Sequence, residues 1–104
     1  MLIHSVYFWL KQEINDEEKS FFFNEVNKLS KIQSVSGFYC GGPAPTPKRP
    51  VVEDSYDCGL TVVLNDLDGH DIYQADPIHL EFIEKCSILW EKVQIYDSEH
   101  PHSS

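Results

Sequence analysis

Nine residues near the N-terminus, Leu2-Ile3-His4-Ser5-Val6-Tyr7-Phe8-Trp9-Leu10, restrict the possible folds more than any other stretch. They are rich in branched and aromatic residues and end at the polar Lys11-Gln12-Glu13, which reads as a strand. Side chains alternate across a strand, so Leu2, His4, Val6, Phe8 and Leu10 project one way and Ile3, Ser5, Tyr7 and Trp9 the other. Large groups on both sides exclude a sheet wetted on one face. Whatever sheet this strand joins must be covered twice.

The rest of the chain supplies one set of helices. Asn15 or Asp16 can cap a helix running to about Ser30, with Asp16, Glu17 and Glu18 at its positive end and Phe22, Phe23, Val26 and Leu29 sharing a face. Val35–Gly41 reads as a second strand, stopped by a run holding four prolines, Gly41-Gly42-Pro43-Ala44-Pro45-Thr46-Pro47-Lys48-Arg49-Pro50. That run suits a semi-rigid surface loop, the alternative being a ligand for a module that binds polyproline II helices. Tyr56–Leu64 is a third strand, in which Tyr56, Cys58, Leu60, Val62 and Leu64 alternate against Asp57, Gly59, Thr61 and Val63.

Asn65 or Asp66 can cap a short helix through Ala75. Pro77 then has its φ preset for a first helical turn and lacks the N–H that such a turn leaves free, while Asp76 can cap the remaining amides. The spacing therefore predicts a second helix from Pro77 to about Leu89, followed by a last strand over Val93–Tyr96 and a polar, flexible tail over 98–104.

This order, β-α-β-β-α-β, is the ferredoxin-like α+β arrangement: an antiparallel sheet with helices on one face. At 104 residues the chain is one domain, taken as 1–97 with the tail appended. Tyr7, Trp9 and Val63 fall on the helix-free side, and the simplest cover for them is a second copy of the same surface, so a homodimer is expected. A net charge of −9 repels phosphate backbones and anionic lipid, so neither a nucleic-acid nor a membrane partner is expected. No apolar run is long enough to span a bilayer, and the N-terminus has no basic region or small-residue cleavage site. Three cysteines, Cys40, Cys58 and Cys86, form no CxxC pair and suit reduced thiols, so a cytoplasmic location is expected.

Four segments together resemble the stress-responsive A/B barrel (dimeric α-β barrel) domain family. They are Ile3-His4-Ser5-Val6-Tyr7-Phe8, Tyr56-Asp57-Cys58-Gly59-Leu60, Asp76-Pro77-Ile78-His79-Leu80-Glu81-Phe82 and Trp90-Glu91-Lys92, and the likeness runs over residues 2–97. The resemblance implies a homodimer whose two sheets close into a barrel, with a small pocket in each subunit between its own sheet and helices. One plant branch, similar to olivetolic acid cyclase, uses a pocket His and Tyr to cyclise a poly-β-keto chain by aldol condensation. Its strand-one His falls on His4, its helical Tyr on Tyr73 and its post-proline His on His79. Two positions depart from that branch: Cys58 and Asp76 stand where it has histidines.

A His/Tyr pair suits proton abstraction α to a carbonyl, because a neutral imidazole takes the proton while a phenol O–H stabilises the enolate oxygen. His79 is the candidate base, since a helix N-terminus disfavours imidazolium; Tyr73 is the candidate donor, and His4 orients the substrate. The structural alternative is that His79 merely hydrogen-bonds at a helix start and His4 is a satisfied core histidine. His4 shares its strand face with Val6 and Phe8, so a ligand beside it would meet mostly apolar walls, with Phe23, Leu60, Phe82 and Trp90 as further wall candidates. These walls suit an apolar or aromatic metabolite, and the resemblance adds a polyketide-like one, bound without catalysis or turned over by a cofactor-free lyase or cyclase.

No metal site or cofactor is expected from sequence spacing. Asp66-Leu67-Asp68-Gly69-His70-Asp71 lacks the Gly and Glu of a calcium loop, having Asp71 sixth and Pro77 twelfth. His100 and His102 lie on the tail as solvated imidazoles. Phosphate-binding glycine loops and nucleophile elbows are absent, and Cys58 on a central strand reads as a small core residue.

Overall fold

The computed structural model describes residues 1–100. The strand expected first is β1 (Leu2–Leu10), followed by α1 (Asp16–Lys28), β2 (Val35–Gly41), β3 (Cys58–Leu64), α2 (Leu67–Ala75), α3 (Pro77–Cys86) and β4 (Trp90–Glu99). The four strands form one sheet in the order β2-β3-β1-β4, every neighbouring pair antiparallel. This is the ferredoxin-like α+β fold, and β1 is an inner strand, paired on both edges.

Burial along β1 alternates as its residues require. Leu2, His4, Val6, Phe8 and Leu10 are buried, while Ile3, Ser5, Tyr7 and Trp9 are half-buried on the helix-free face. Against the buried face pack Phe22, Val26 and Leu29 from α1 and its terminal turn, Tyr73 from α2, and Phe82 and Cys86 from α3. The rings of Phe8, Phe22, Phe82 and Trp90 touch one another, with centroids 5.1–6.4 Å apart. Burying one such aromatic stabilises the fold by about 1.5–3 kcal/mol, so this cluster fixes how the helices seat on the sheet.

Local chemistry sets the boundaries. Asn15 forms a capping box: its side chain accepts from the Glu18 amide at 2.8 Å, and the Glu18 carboxylate accepts from the Asn15 amide at 3.0 Å. Asp66 caps α2 through the Gly69 amide at 2.8 Å, and Asp76 caps α3 through the Ile78 amide at 2.8 Å. Glu25 is buried on α1 because Lys28 and Lys85 reach its two oxygens at 2.9 and 3.5 Å, tying α1 to α3.

Four expectations about the chain are corrected. α3 ends at Cys86, and residues 87–89 form a tighter 3-10 turn. β4 is much longer than Val93–Tyr96, because β1 offers it partners out to the Leu2↔Glu99 pair; residues 98 and 99 of the expected tail thus belong to the strand, and 101–104 lie outside the described residues. Phe23 is only half-buried, stacked edge-on against Phe22 rather than sharing the core face. Tyr56 precedes β3 instead of opening it, and its ring crosses to the helix-free face, 4.9 Å from that of Tyr7. The crossing is held by two bonds between the loop and β1: the Asp57 amide donates to the Phe8 carbonyl at 2.8 Å, and the Asp57 carboxylate accepts from the Leu10 amide at 2.7 Å.

The proline-rich residues 42–50 form no helix or strand and are exposed. No helix among the described residues is long and apolar enough to cross a membrane.

Candidate functional site

Between β1, β4 and the helices lies a cavity of about 100 Å³. Its floor is the buried face of the sheet, with His4, Val6 and Phe8 from β1, Leu60 from β3, and Trp90, Val93 and Ile95 from β4; its roof is Leu29, Tyr73, Gln74, His79, Phe82 and Ile83. Two of these, Ile83 on α3 and Ile95 on β4, are exposed, so the mouth opens between α3 and β4. Of the residues the sequence nominated, His4, Tyr73, His79, Val6, Phe8, Leu60, Phe82 and Trp90 line this one cavity. Phe23 does not; the residues of α1 packed fully into the core are Phe22 and Val26, and neither of them lines the cavity.

The polar groups gather at one end. Tyr73 is 1% exposed, and its ring centroid lies 4.9 Å from that of His79 and 5.6 Å from that of His4. The Asp76-Pro77 corner brings this about: it ends α2 just after Tyr73 and restarts the chain as α3 with His79 in the first turn. His4 is buried, and its Nδ1 donates to Asp97 Oδ1 at 2.5 Å, the pair being register partners across β1 and β4. His70 on α2 stands edge-on to His4, with centroids 5.3 Å apart. Neither Asp97 nor His70 is marked by any local motif; only the strand register and the turn of α2 bring them to His4.

Two titrations matter for the chemistry. Burial holds the His79 imidazole below its ordinary pKa of 6.5, assisted by the neighbouring His4 and opposed by a hydrogen bond to the Gln74 backbone. Desolvation, not the helix terminus invoked from sequence, thus leads in keeping His79 neutral. Its Nδ1 is buried and has no hydrogen-bond partner among the described residues. Burial also pushes the Tyr73 phenol well up, so it stays protonated and able to donate. The cavity is therefore lined by an imidazole held neutral beside an O–H donor.

The two positions that differ from the cyclase-like pattern have other work. Asp76 is the cap of α3. Cys58 is fully buried, its Sγ is 3.4 Å from that of Cys40, and contact with Cys40 and burial push its thiol far above the ordinary range, which leaves no thiolate for nucleophilic attack.

The depressed His79 pKa predicts a pH dependence of stability. The unfolded chain, with a normal imidazole, binds more protons than the folded one around and below pH 6.5, so the stabilising contribution is complete above 6.5 and is lost as pH falls through the folded value. The urea midpoint should drop between pH 7 and about 5.5, and His79→Gln should flatten that slope. Equal slopes in the two proteins would show that His79 titrates normally.

Comparison with known proteins places these features. The model of the Stress Responsive A/B Barrel Domain family matches residues 2–100. Among solved structures, the hydroxynitrile lyase from Passiflora edulis superposes with a TM-score of 0.80 at 13% identity, covering 99% of this chain and 95% of that one. A Dabb family protein with a ferredoxin-like fold from Mesorhizobium loti gives 0.76 at 24% identity, with 97% of each chain covered. A protein from Thermobifida fusca, described as dimeric, ferredoxin-like and of unknown function, gives 0.76 at 15%, covering 93% and 88%. At these identities what is shared is the fold. No curated protein sequence matches the chain.

Proposed function

Because the chain belongs to the stress-responsive A/B barrel domain family, we propose that it acts as a homodimeric small-molecule-binding protein, its cavity taking a small aromatic or polyketide-like metabolite. The observation that carries this reading is the cavity itself: apolar walls on every side, interrupted at one end by His4, Tyr73 and His79. Few, convergent polar groups in an apolar enclosure are what orient a small ligand. Its ~100 Å³ is below the ~300 Å³ at which drug-sized pockets begin, so it takes a single ring or a short β-keto unit. A longer chain would extend through the mouth past Ile83 and Ile95.

The dimer part of the proposal draws on the helix-free face. Tyr7, Tyr39, Tyr56 and Tyr96 lie there, with Tyr39 and Tyr96 62% and 60% exposed, and proteins of this fold from other organisms are described as dimeric. Three free thiols suit a cytoplasmic setting.

A thermal-shift screen of small aromatic and β-keto acids tests the binding. Specific ligands raise the melting temperature in proportion to the logarithm of their concentration, and Ile83→Trp, which narrows the mouth, should abolish the shift while leaving the ligand-free melting temperature nearly unchanged. Shifts that survive Ile83→Trp would put the ligand elsewhere.

One observation favours a second reading, a cofactor-free lyase or cyclase: the partnerless, neutral Nδ1 of His79 beside the Tyr73 phenol. In that reaction the α-proton of a carbonyl substrate passes to the imidazole, the C–H electron pair becomes the enolate, and Tyr73 donates a hydrogen bond to the developing oxyanion. The enolate carbon then attacks a second carbonyl or expels a leaving group, and the imidazolium returns its proton.

A further inference from the structure

Beside the cavity, and sharing only His4 with its lining, three side chains come together for which the binding reading has no joint use. His4 of β1, His70 of α2 and Asp97 of β4 each present one ligand atom, and these atoms lie within 4.8 Å of one another. We propose that they form a binding site for a divalent transition-metal ion of the zinc class, with two imidazoles and one carboxylate as protein ligands. The site goes beyond the small-molecule reading, since it needs no organic ligand in the cavity.

The donor set fits that class. Imidazole selects zinc, copper, nickel and iron over the oxygen-seeking magnesium and calcium, and two histidines with one carboxylate leave a position open, as in catalytic zinc sites. Zinc–ligand bonds of ~2.0–2.2 Å place tetrahedral ligand atoms about 3.3–3.5 Å apart, so the wider separations of the cluster must contract while His4 and Asp97, hydrogen-bonded at 2.5 Å, exchange that bond for the ion. Its anatomy allows this. His4 is 3% exposed and fixed between two strands, whereas the His70 and Asp97 side chains are 22% and 43% exposed and free to turn inward.

Each ligand has a defined support. The β1–β4 register sets His4 opposite Asp97, and the Asp66 cap fixes the first turn of α2 and hence the His70 position. His70 has only a long 3.5 Å contact with Asp71 to give up. A net charge of −9 raises the local concentration of cations around the chain. Of the three ligands, His4 also lines the cavity that holds Tyr73 and His79.

Sequence spacing hides such a site because its ligands are separated by 66 and 27 residues along the chain and lie on three elements.

The test is titration of the chelator-treated full chain with Zn²⁺ by calorimetry and with Co²⁺ by visible absorption. The expected result is one ion per chain, with the d–d bands of a low-coordinate nitrogen and oxygen site and no thiolate-to-metal charge transfer. His70→Ala and Asp97→Asn, both outside the packed core, should each weaken binding by about 100-fold or more, since loss of a mere outer-shell partner already costs about 10–100-fold. The double variant His100→Ala/His102→Ala should bind as tightly as the wild type. No binding at micromolar metal, unaltered affinity in His70→Ala, loss of affinity in the tail variant, or thiolate charge transfer pointing to Cys40 and Cys58 would each overturn the proposal.

Discussion

Tyr7→Glu is expected to leave a folded chain that sediments as a monomer at micromolar concentrations where the wild type sediments as a dimer. Tyr7 occupies an inner strand on the helix-free face, its ring 4.9 Å from Tyr56 and 6.3 Å from Tyr96. It lies close over Gly59, where a Cβ would sit 3.3 Å from the rings of both Tyr7 and Tyr56, so the absence of a side chain there lets the two aromatics meet above the sheet. With the helix-free face as the proposed dimer contact, a carboxylate at this position would be buried unpaired near its apolar centre, where charged groups are depleted. Burying even a neutral polar group without a partner costs several kcal/mol at worst, and an ionised one more, enough to lower association by orders of magnitude. The isolated chain tolerates the change because Tyr7 is only half-buried there. Trp9 is a poorer target: Lys92 sits 4.3 Å above its ring and its Nε1 donates to Ser55 Oγ, so Trp9→Glu would gain a pairing with Lys92. A Tyr7→Glu protein that still sediments as a dimer would mean that copies associate through another face.

The second large effect concerns the lyase or cyclase reading: for a carbonyl substrate turned over in the cavity, His79→Ala should abolish measurable turnover with the dimer intact. General base catalysis contributes roughly 10²–10⁴-fold, and His79 is the imidazole whose ring nitrogen is both unpartnered and held neutral. Tyr73→Phe keeps the ring and removes the donor, so its rate should fall by about 10²-fold, as for the loss of one oxyanion donor. His4 is engaged with Asp97 at 2.5 Å, which suits an orienting role, and His4→Ala should raise KM more than it lowers kcat. If His4→Ala removes activity and His79→Ala keeps most of it, the two roles are exchanged. If neither changes turnover but both weaken binding, the protein is a binder alone.

Much of this was legible in the sequence where a local rule decides the outcome. The two-faced pattern of Leu2–Leu10 required cover on both sides, and the alternation of burial along β1 follows it residue by residue. Asp76-Pro77 fixed the helix boundary that puts Tyr73 next to His79. What was missed depends on pairing across the fold. The length of β4 is set by the partners that β1 offers it, not by the polar character of Asp97-Ser98-Glu99. Tyr56 continues the alternation of β3 in sequence, but the bonds of Asp57 to Phe8 and Leu10 turn the chain before the strand begins. Phe23 sits one residue from Phe22, and a helix turns ~100° per residue, so only Phe22 points squarely into the core. Asp97 and His70 carry no signal of their own, because strand register and helix packing alone bring them to His4.

The central claim is that the His4, Tyr73 and His79 end of the cavity is where this protein meets its ligand. Histidine-ring and methyl NMR spectra, recorded while small aromatic and β-keto acids are titrated in, test it most directly. The account predicts saturable shifts of the His4 and His79 rings together with the methyls of Val6, Leu60 and Val93, the residues that share the cavity. Saturable shifts confined to the helix-free face around Tyr7, Tyr56 and Tyr96, with the two imidazoles unmoved, would contradict it.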